Sequence, residues 1–247
     1  MHFPDHFSHD SASYAAYRPG YPPLFIADVA ALAPGQRAAW DCATGTGQAA
    51  RLLAPHFDIV MATDASSEQI RAAAGPSNVA YRVAREDDSG AGDASIDLVT
   101  VATALHWLDL PRFFGEVRRV LRPGGVIAAW CYGFASISPV IDDVTSWFAK
   151  DRVGRYWPPQ RVHVDRAYRD LPFPFAELPM PAYDMTANLD REQYIGFLAT
   201  WSAVASARYL EPLDPIPDLR DRLAPHWPDG KRFEVRWPLH VRVGRMA

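Results

Sequence analysis

The sequence predicts an α/β protein built on a seven-stranded, mostly parallel sheet whose last strand is antiparallel, with an N-terminal lid and a helical cap insertion. Three observations support this prediction. Strand-like apolar runs alternate with helical patterns through residues 36–132, turns with glycine and proline separate them, and two β-like runs lie near the end of the chain. Strands that alternate with helices pair in parallel, and helices cover both faces of their sheet.

The individual elements follow from apolar periodicity and turn signals. A first helix is predicted over residues 23–32, before the turn at Pro34-Gly35. Strands are predicted over residues 38–42, 59–63, 80–83, 96–101 and 126–132, and helices over residues 48–54, 67–74 and 110–121. In the last of these helices, Phe113, Val117 and Val120 recur at helical spacing. A turn with the sequence PGG at residues 123–125 separates it from the next strand.

The pattern changes at residue 133. Residues 133–217 contain ten prolines and no clear strand alternation, which predicts a helical substrate cap. Asp190 and Gln193 have the spacing of a capping box at the start of one cap helix. Residues 218–247 are predicted to hold the last helix and an antiparallel strand pair split at Pro238. With a lid and first helix at residues 1–35 and a core at residues 36–132, the chain divides into four segments.

The composition excludes several classes of protein. Hydrophobic residues make up 49% of the 247 residues, which excludes a disordered chain. The formal net charge of −4 disfavours a dedicated nucleic-acid-binding protein. No apolar run approaches the roughly 20 residues that span a bilayer, and two cysteines suit a reducing compartment. We therefore expect a cytoplasmic protein, a monomer or weak homodimer, without nucleic-acid or membrane partners.

A glycine-containing turn joins the first predicted strand to its helix, with the sequence DCATGTG at residues 41–47. Glycines let a backbone approach a ligand closely, and a helix N-terminus favours a negative group. Residues 45–50 also fit the G-x-G-x-x-A dinucleotide pattern. However, Asp41 would repel a pyrophosphate, whereas it could accept hydrogen bonds from a cationic amino-acid tail. Asp64, at the end of the next strand, can accept hydrogen bonds from two ribose hydroxyls.

Four motifs occur in order: DCATGTG at residues 41–47, ATD at 62–64, SIDLV at 95–99 and VLRPGG at 120–125. This set resembles class I S-adenosylmethionine-dependent methyltransferases. The resemblance implies a Rossmann-like fold, S-adenosylmethionine as cofactor, S-adenosylhomocysteine as product, and no metal. Ala43 is a departure, because the family usually has a glycine there. The sequences YRPGYP at 17–22, ALHWLD at 104–109 and WS at 201–202 resemble the trans-aconitate-methyltransferase-like, or type 11, branch. That branch implies a small-molecule acceptor under the lid and cap.

Ligands of open α/β sheets bind beyond the carboxyl ends of the strands. Arg18 could pair with the cofactor carboxylate, and Glu86 or Asp87 could accept the adenine amino group. The predicted cofactor site comprises Tyr14, Arg18, Asp41, Ala43, Gly45, Gly47, Asp64, Ala65, Glu86, Asp87 and Ala102. The predicted acceptor site comprises Tyr17, Trp107, Tyr132, Trp147 and Trp201. His106 is the candidate catalytic residue, since an imidazole can take a proton near neutral pH. A packed histidine without a catalytic role is the alternative.

The aromatic residues favour methyl transfer to a planar, heteroaromatic small molecule at a ring nitrogen or oxygen, as part of secondary metabolism. The chain resembles toxoflavin-type azapteridine N-methyltransferases in this respect. The alternative is a carboxylate O-methyltransferase of the trans-aconitate type, with arginines such as Arg18, Arg152, Arg155 or Arg161 as anion ligands. Two further hypotheses are an NAD(P)-dependent oxidoreductase and a non-catalytic protein that binds S-adenosylmethionine.

Overall fold

The computed structural model describes residues 17–211 and 214–246, and its sheet confirms the predicted fold class. Its strands are β1 (Ala38–Cys42), β2 (Ile59–Asp64), β3 (Val79–Val83), β4 (Ile96–Ala102), β5 (Leu121–Tyr132), β6 (Ala176–Leu178), β7 (Tyr183–Leu189) and β8 (Phe233–Arg245). The strand order is β3-β2-β1-β4-β5-β8-β6, and β7 also pairs with β8. The first five strands pair in parallel, and β8 runs antiparallel to β5 and β6.

The helices in the described residues are α1 (Pro23–Ala31), α2 (Gln48–Leu53), α3 (Ser67–Ala72), α4 (Leu110–Val120), α5 (Pro139–Trp147), α6 (Arg161–Asp165), α7 (Arg191–Ala199), α8 (Ser202–Leu210) and α9 (Ile216–Leu223). Side-chain caps fix where several of them begin. Ser66 caps α3 and Asp109 caps α4. The predicted capping box of Asp190 and Gln193 is confirmed at the start of α7. None of the described helices is long and apolar enough to cross a membrane.

The chain forms two compact units. The first unit contains residues 17–19, 134–161 and 184–237, apart from residues 212–213. The second unit contains residues 20–133, 162–183 and 238–246. Residues 162–183, which the sequence analysis assigns to the cap, therefore group with the sheet. The four-segment division remains a prediction.

The parallel register brings the carboxyl ends of four strands to one edge of the sheet. Cys42 of β1 pairs with Thr63 of β2 and with Val101 of β4. Asp64, the last residue of β2, pairs with Val83 of β3. The loops after β1, β2, β3 and β4 therefore leave the sheet side by side, in the position where ligands of open α/β sheets bind.

Three local features differ from the expectations. The PGG turn at residues 123–125 lies inside β5, which begins at Leu121, and a register shift in the pairing with β4 accommodates it. The two runs near the C-terminus form one strand, β8, because Pro238 falls just before Leu239, where pairing with β5 ends. A proline there costs no hydrogen bond to β5. Strands β6 and β7 lie in the segment predicted to be helical, and within them only Met185 is buried.

A charged side chain is buried near the start of β4. Asp97 is 2% exposed. One carboxylate oxygen accepts a 2.6 Å hydrogen bond from the Arg122 guanidinium in β5. The other accepts from the backbone N–H groups of Arg37, at 2.9 Å, and Ala38, at 3.0 Å. Asp97 thus joins β1, β4 and β5 at the end of the sheet opposite the carboxyl ends.

Candidate functional site

The loop between β1 and α2 has a left-handed backbone at three positions. The φ angles are +54° at Ala43, +57° at Gly45 and +86° at Gly47. A side chain at Gly47 would overlap the hydroxyl of Tyr81, so this position needs glycine for space as well as for φ. At Ala43 the residue is alanine, whose Cβ makes the left-handed backbone conformation unfavourable by roughly 1–2 kcal/mol. The departure from the family pattern at Ala43 therefore stores strain in the loop.

Asp41 stabilises this loop from inside the protein. Its side chain is fully buried. It accepts hydrogen bonds from the hydroxyls of Thr44, at 2.5 Å, and Thr100, at 2.7 Å. Burial raises the pKa of Asp41 to about 6, although both threonine hydrogen bonds oppose the increase. Asp41 therefore places a carboxyl group next to the loop, and the charge of this carboxyl changes with pH close to neutrality.

Asp64 connects the first loop to the second. One carboxylate oxygen accepts from the backbone N–H of Gly45 at 2.8 Å, and the other accepts from that of Ser66 at 2.8 Å. A carboxylate has about four acceptor positions. These two bonds orient the carboxylate between the first loop and the second. Ala65, the next residue, is exposed beside it.

Two acidic residues follow β3 and differ in their surroundings. Glu86 is buried and lies 3.4 Å from the backbone N–H of Asp109 and 3.5 Å from the guanidinium of Arg85. Asp87 is more exposed and pairs with both Arg85, at 3.5 Å, and Arg112, at 3.4 Å. Asp87 therefore has two arginine partners, whereas Glu86 has one and is the more buried of the two predicted adenine ligands.

The segment after β4 carries the candidate catalytic residue. Ala102 ends β4, and a short 3-10 helix follows at Leu105–Trp107. His106 Nδ1 lies 2.8 Å from the phenol oxygen of Tyr168, and the ring centroids of His106 and Trp107 are 4.7 Å apart. No local sequence pattern marks Tyr168, because this contact spans 62 residues of chain.

Two hydroxyl groups near this segment were not predicted, that of Thr103, which follows β4, and that of Tyr21, which precedes α1. Thr103 has a φ of +56°, which is an outlier for a β-branched residue. Its Oγ1 lies 3.3 Å from the hydroxyl of Tyr21. No sequence signal marks Thr103, because its backbone conformation is set by the loop.

Tyr132, a predicted acceptor residue, is buried at the end of β5.

The remaining predicted residues belong to the first unit, except Tyr14, which lies outside the described residues. The ring of Tyr17 packs on Gly196 of α7. Arg18 donates a 3.2 Å hydrogen bond to the carbonyl of Thr200 and lies over the ring of Phe197. The guanidinium of Arg222 lies 3.8 Å from the ring centroid of Trp147. Trp201 lies in an aromatic cluster that is described below.

The second unit fits a nucleoside cofactor with a cationic tail. The hydroxyl of Thr46, between the two glycines, is buried and has no hydrogen-bond partner among the residues that the structure describes. An unsatisfied buried hydroxyl is costly, so this group fits a ligand contact. Asp41 supplies negative charge and Asp64 supplies oriented acceptors. Within residues 17–211 and 214–246, no group of three His, Cys, Asp or Glu side chains could hold a metal ion.

Comparisons with known proteins identify the family of the chain. A sequence profile described as a methyltransferase domain matches residues 40–129. An uncharacterized methyltransferase of Mycobacterium bovis is 30% identical over 87% of this chain and 84% of its own length. The chain belongs to the S-adenosylmethionine-dependent methyltransferase family. The methyltransferase is also 29% identical to a Dictyostelium discoideum protein described as a methyltransferase, over 98% of this chain and 95% of that protein.

A solved structure supports the fold of the methyltransferase as well. A protein described as a type II methyltransferase from Anaeromyxobacter dehalogenans is 40% identical, with a TM-score of 0.86. The match covers 93% of this chain and 98% of that one. The protein is therefore an enzyme that transfers a methyl group from S-adenosylmethionine and forms S-adenosylhomocysteine. Methyl transfer, and not hydride transfer to a nicotinamide, is its reaction.

The buried carboxyl of Asp41 makes the stability of the methyltransferase depend on pH. Its pKa is about 6 in the folded state, above the ordinary value of 3.8. Stability from this group is therefore present below pH 3.8 and is lost as the pH rises through 6. One pKa unit corresponds to about 1.4 kcal/mol, so Asp41→Asn should stabilise the cofactor-free protein by about 3 kcal/mol more at pH 8 than at pH 4. Urea unfolding at both pH values measures this difference, and an equal effect at both would contradict the assignment.

Proposed function

We propose that the methyltransferase acts on a small planar acceptor, an aromatic or heteroaromatic metabolite methylated at a ring nitrogen or oxygen. The observation that supports this proposal is an aromatic cluster in the first unit, formed by Phe134, Phe148, Trp157 and Trp201. Trp201 lies at its centre, with ring-centroid distances of 5.3 Å to Phe134, 5.3 Å to Trp157 and 6.0 Å to Phe148. Such clusters bind flat rings by stacking and edge contacts.

The cluster is partly open to solvent. Phe134 is 37% exposed, whereas Phe148 is fully buried. Trp157 is half-buried, and its indole N–H donates a 2.9 Å hydrogen bond to the carbonyl of Ala149, which fixes the orientation of the ring. A rigid aromatic surface with an exposed edge suits a planar ligand, because little side-chain entropy is lost when the ligand binds.

The charged side chains of the first unit favour a ring over a carboxylate. Arg152 pairs with Asp218 at 2.6 Å, and Arg155 pairs with Glu211 at 2.9 Å. These two arginines already hold carboxylates of the chain itself. The guanidinium of Arg161 stacks at 4.5 Å from the ring centroids of both Phe134 and Trp157. It therefore extends the stacking surface of the cluster.

At the cofactor, we assign the ribose hydroxyls to Asp64, the adenine amino group to Glu86, and the amino-acid tail to the loop from Gly45 to Gly47. When bound, S-adenosylmethionine supplies an electrophilic methyl group on a positively charged sulfur. The protein aligns the acceptor lone pair with the carbon–sulfur bond and excludes water. No nucleophilic side chain is needed. The thiol of Cys42, at the end of β1, stays protonated because burial raises its pKa well above the usual range.

The test compares acceptors and two matched variants. Pteridines and hydroxyquinolines should consume S-adenosylmethionine faster than aliphatic di- and tricarboxylates do. Phe134→Leu should raise KM for the planar acceptors roughly 2- to 10-fold, because an aromatic contact contributes about 0.5–1.5 kcal/mol. Tyr209→Leu is the control, since Tyr209 is 88% exposed on α8 of the same unit. Turnover of carboxylates with an unchanged KM in Phe134→Leu would instead support the carboxylate alternative.

A further inference from the structure

The loop between β3 and β4 carries Glu86 and lies wholly in the second unit. It begins with a turn, in which the N–H of Asp88 donates a 3.2 Å hydrogen bond to the carbonyl of Arg85. Just before the turn, the N–H of Ala84 donates a 3.0 Å hydrogen bond to the carbonyl of Asp64. The end of β2 therefore fixes the start of the turn that carries Glu86.

Glu116 of α4 holds the loop directly after this turn. The side chains of Glu116 and Ser89 are both buried. Oε1 of Glu116 accepts hydrogen bonds from the Ser89 N–H, at 3.0 Å, and from the Ser89 hydroxyl, at 2.5 Å. The same hydroxyl oxygen accepts a 3.1 Å hydrogen bond from the N–H of Ala91. One carboxylate on a helix thus fixes a stretch of loop that has no helix or strand of its own.

Arg119, one turn further along α4, completes this network. Its guanidinium donates to both carboxylate oxygens of Glu116, at 2.7 and 2.8 Å, and to the carbonyl of Ala91, at 2.8 Å. Although burial raises the pKa of Glu116, hydrogen bonds from Arg119 and Ser89 bring it below the ordinary value. The carboxylate is therefore charged at neutral pH. Hydrogen bonds to a charged acceptor are stronger than those to a neutral one.

The same helix also contacts the side chain of Glu86. Its Oε1 lies 3.4 Å from the backbone N–H of Asp109, the N-cap residue of α4. The carboxylate of Glu86 is thus placed by the start of α4 and by the turn from which it extends. A hydrogen bond weakens steeply as its angle departs from the optimum. Movement of the turn would therefore weaken any bond between Glu86 and a ligand.

We propose that Glu116 is a positioning residue, which holds the turn of Glu86 in place and thereby makes the cofactor site selective for the adenine amino group. The role rests on the proposed function, in which Glu86 accepts a hydrogen bond from that amino group. Glu116 acts through Ser89, three residues beyond Glu86, and not by contact with the cofactor. Both of its carboxylate oxygens bond groups of the protein itself.

The experiment measures how strongly the protein selects the amino group. Titration calorimetry gives the Kd of S-adenosylhomocysteine and that of its deamino analogue, in which hydrogen replaces the amino group of adenine. In the wild type we expect the analogue to bind roughly 10- to 100-fold more weakly, because it has no amino group to donate to a carboxylate. Glu86→Ala should bring the ratio of the two Kd values close to unity.

Two variants change the network around Ser89. Glu116→Ala should reduce the ratio by about 5-fold or more, while the Kd of the deamino analogue changes by less than about 3-fold. Ser89→Ala keeps its backbone N–H bond to Glu116 and should reduce the ratio by about 2- to 3-fold, so it decides the question if Glu116→Ala does not fold. An unchanged ratio in the folded variants would overturn the proposal.

A double variant tests whether the two carboxylates act on the same hydrogen bond. In a Glu86→Ala background, Glu116→Ala should have no further effect on the ratio, because the bond that Glu116 positions is already lost. A further fall of the ratio in the double variant would mean that Glu116 selects the amino group by another route. That result would also overturn the proposal.

Asp93→Ala and Asp97→Ala are the controls. Asp93 bonds Arg119 at 2.6 Å from an exposed position, whereas Asp97 lies in the buried network at the opposite end of the sheet. Both variants should leave the ratio unchanged, although Asp97→Ala should destabilise the fold. If Asp97→Ala lowered the ratio as much as Glu116→Ala does, a loss of stability would explain the effect and the positioning role would be wrong.

The assignment of Glu86 and the role of Glu116 fail separately. A wild-type ratio in Glu86→Ala would show that Glu86 does not bind the amino group, and the role of Glu116 would fall with that assignment. A ratio that is lost in Glu86→Ala but kept in Glu116→Ala would leave the assignment of Glu86 intact. It would overturn only the positioning role of Glu116.

Discussion

Replacing Asp64 with alanine should weaken the binding of S-adenosylhomocysteine by about 100-fold or more. The carboxylate is proposed to bond two ribose hydroxyls, and each charge-assisted hydrogen bond contributes roughly 1.5–3 kcal/mol. About 1.4 kcal/mol corresponds to a tenfold change in affinity. The alanine variant also loses the bonds from Asp64 to the Gly45 and Ser66 N–H groups, so both loops loosen. Titration calorimetry measures the change in Kd.

The control for this prediction is Asp58→Ala. Asp58 is exposed and directly precedes β2, at the end of the strand opposite Asp64. This variant changes the net charge by the same amount, and its affinity for S-adenosylhomocysteine should be unchanged. Circular dichroism confirms that both variants remain folded. Near-wild-type affinity in a folded Asp64→Ala protein would remove Asp64 from the site.

Replacing Asp97 with alanine should destabilise the protein by about 3–5 kcal/mol, the usual effect of removing one partner of a buried ion pair. The variant leaves the Arg122 guanidinium without its 2.6 Å partner. It also leaves the N–H groups of Arg37 and Ala38 without their side-chain acceptor. Because these groups join three neighbouring strands, the loss affects the whole sheet. Urea denaturation of the cofactor-free protein measures the free energy of unfolding.

An exposed ion pair in the same unit provides the comparison. Asp93 is 81% exposed and pairs with Arg119 at 2.6 Å. Surface pairs of this kind contribute about 0–1 kcal/mol, so Asp93→Ala should change stability by no more than that. If the two alanine variants lost similar stability, the buried network around Asp97 would not have the structural role assigned to it.

The parallel part of the sheet was predictable because its signals are local. Strands β1, β2 and β4 are apolar runs bounded by turns; β1 and β4 are almost wholly buried, and half of the residues of β2 are. The strands that were missed have weak patterns, since β6 and β7 are largely exposed. Pro238 suggested a break that the sheet does not have, because sequence alone does not show where pairing with β5 ends.

The cofactor side of the site was predictable to a similar extent. Asp41, Gly45, Gly47 and Asp64 lie in short motifs whose spacing already indicates their place at the strand ends. Tyr168 and Thr103 carried no such signal. The contact of Tyr168 with His106 depends on two consecutive left-handed residues far along the chain, and the conformation of Thr103 depends on its loop. Interactions of this kind arise from tertiary structure and not from a local pattern.

A crystal structure of the enzyme with S-adenosylhomocysteine tests the proposed cofactor site most directly. Both ribose hydroxyls should lie about 2.5–2.7 Å from the Asp64 carboxylate, the usual range for hydrogen bonds from a hydroxyl to a carboxylate. The amino-acid tail should lie against the loop from Gly45 to Gly47, in contact with the Thr46 hydroxyl. A ribose bound away from Asp64, or a nucleoside outside the carboxyl edge of β1, β2 and β4, would show that the proposed cofactor site is wrong.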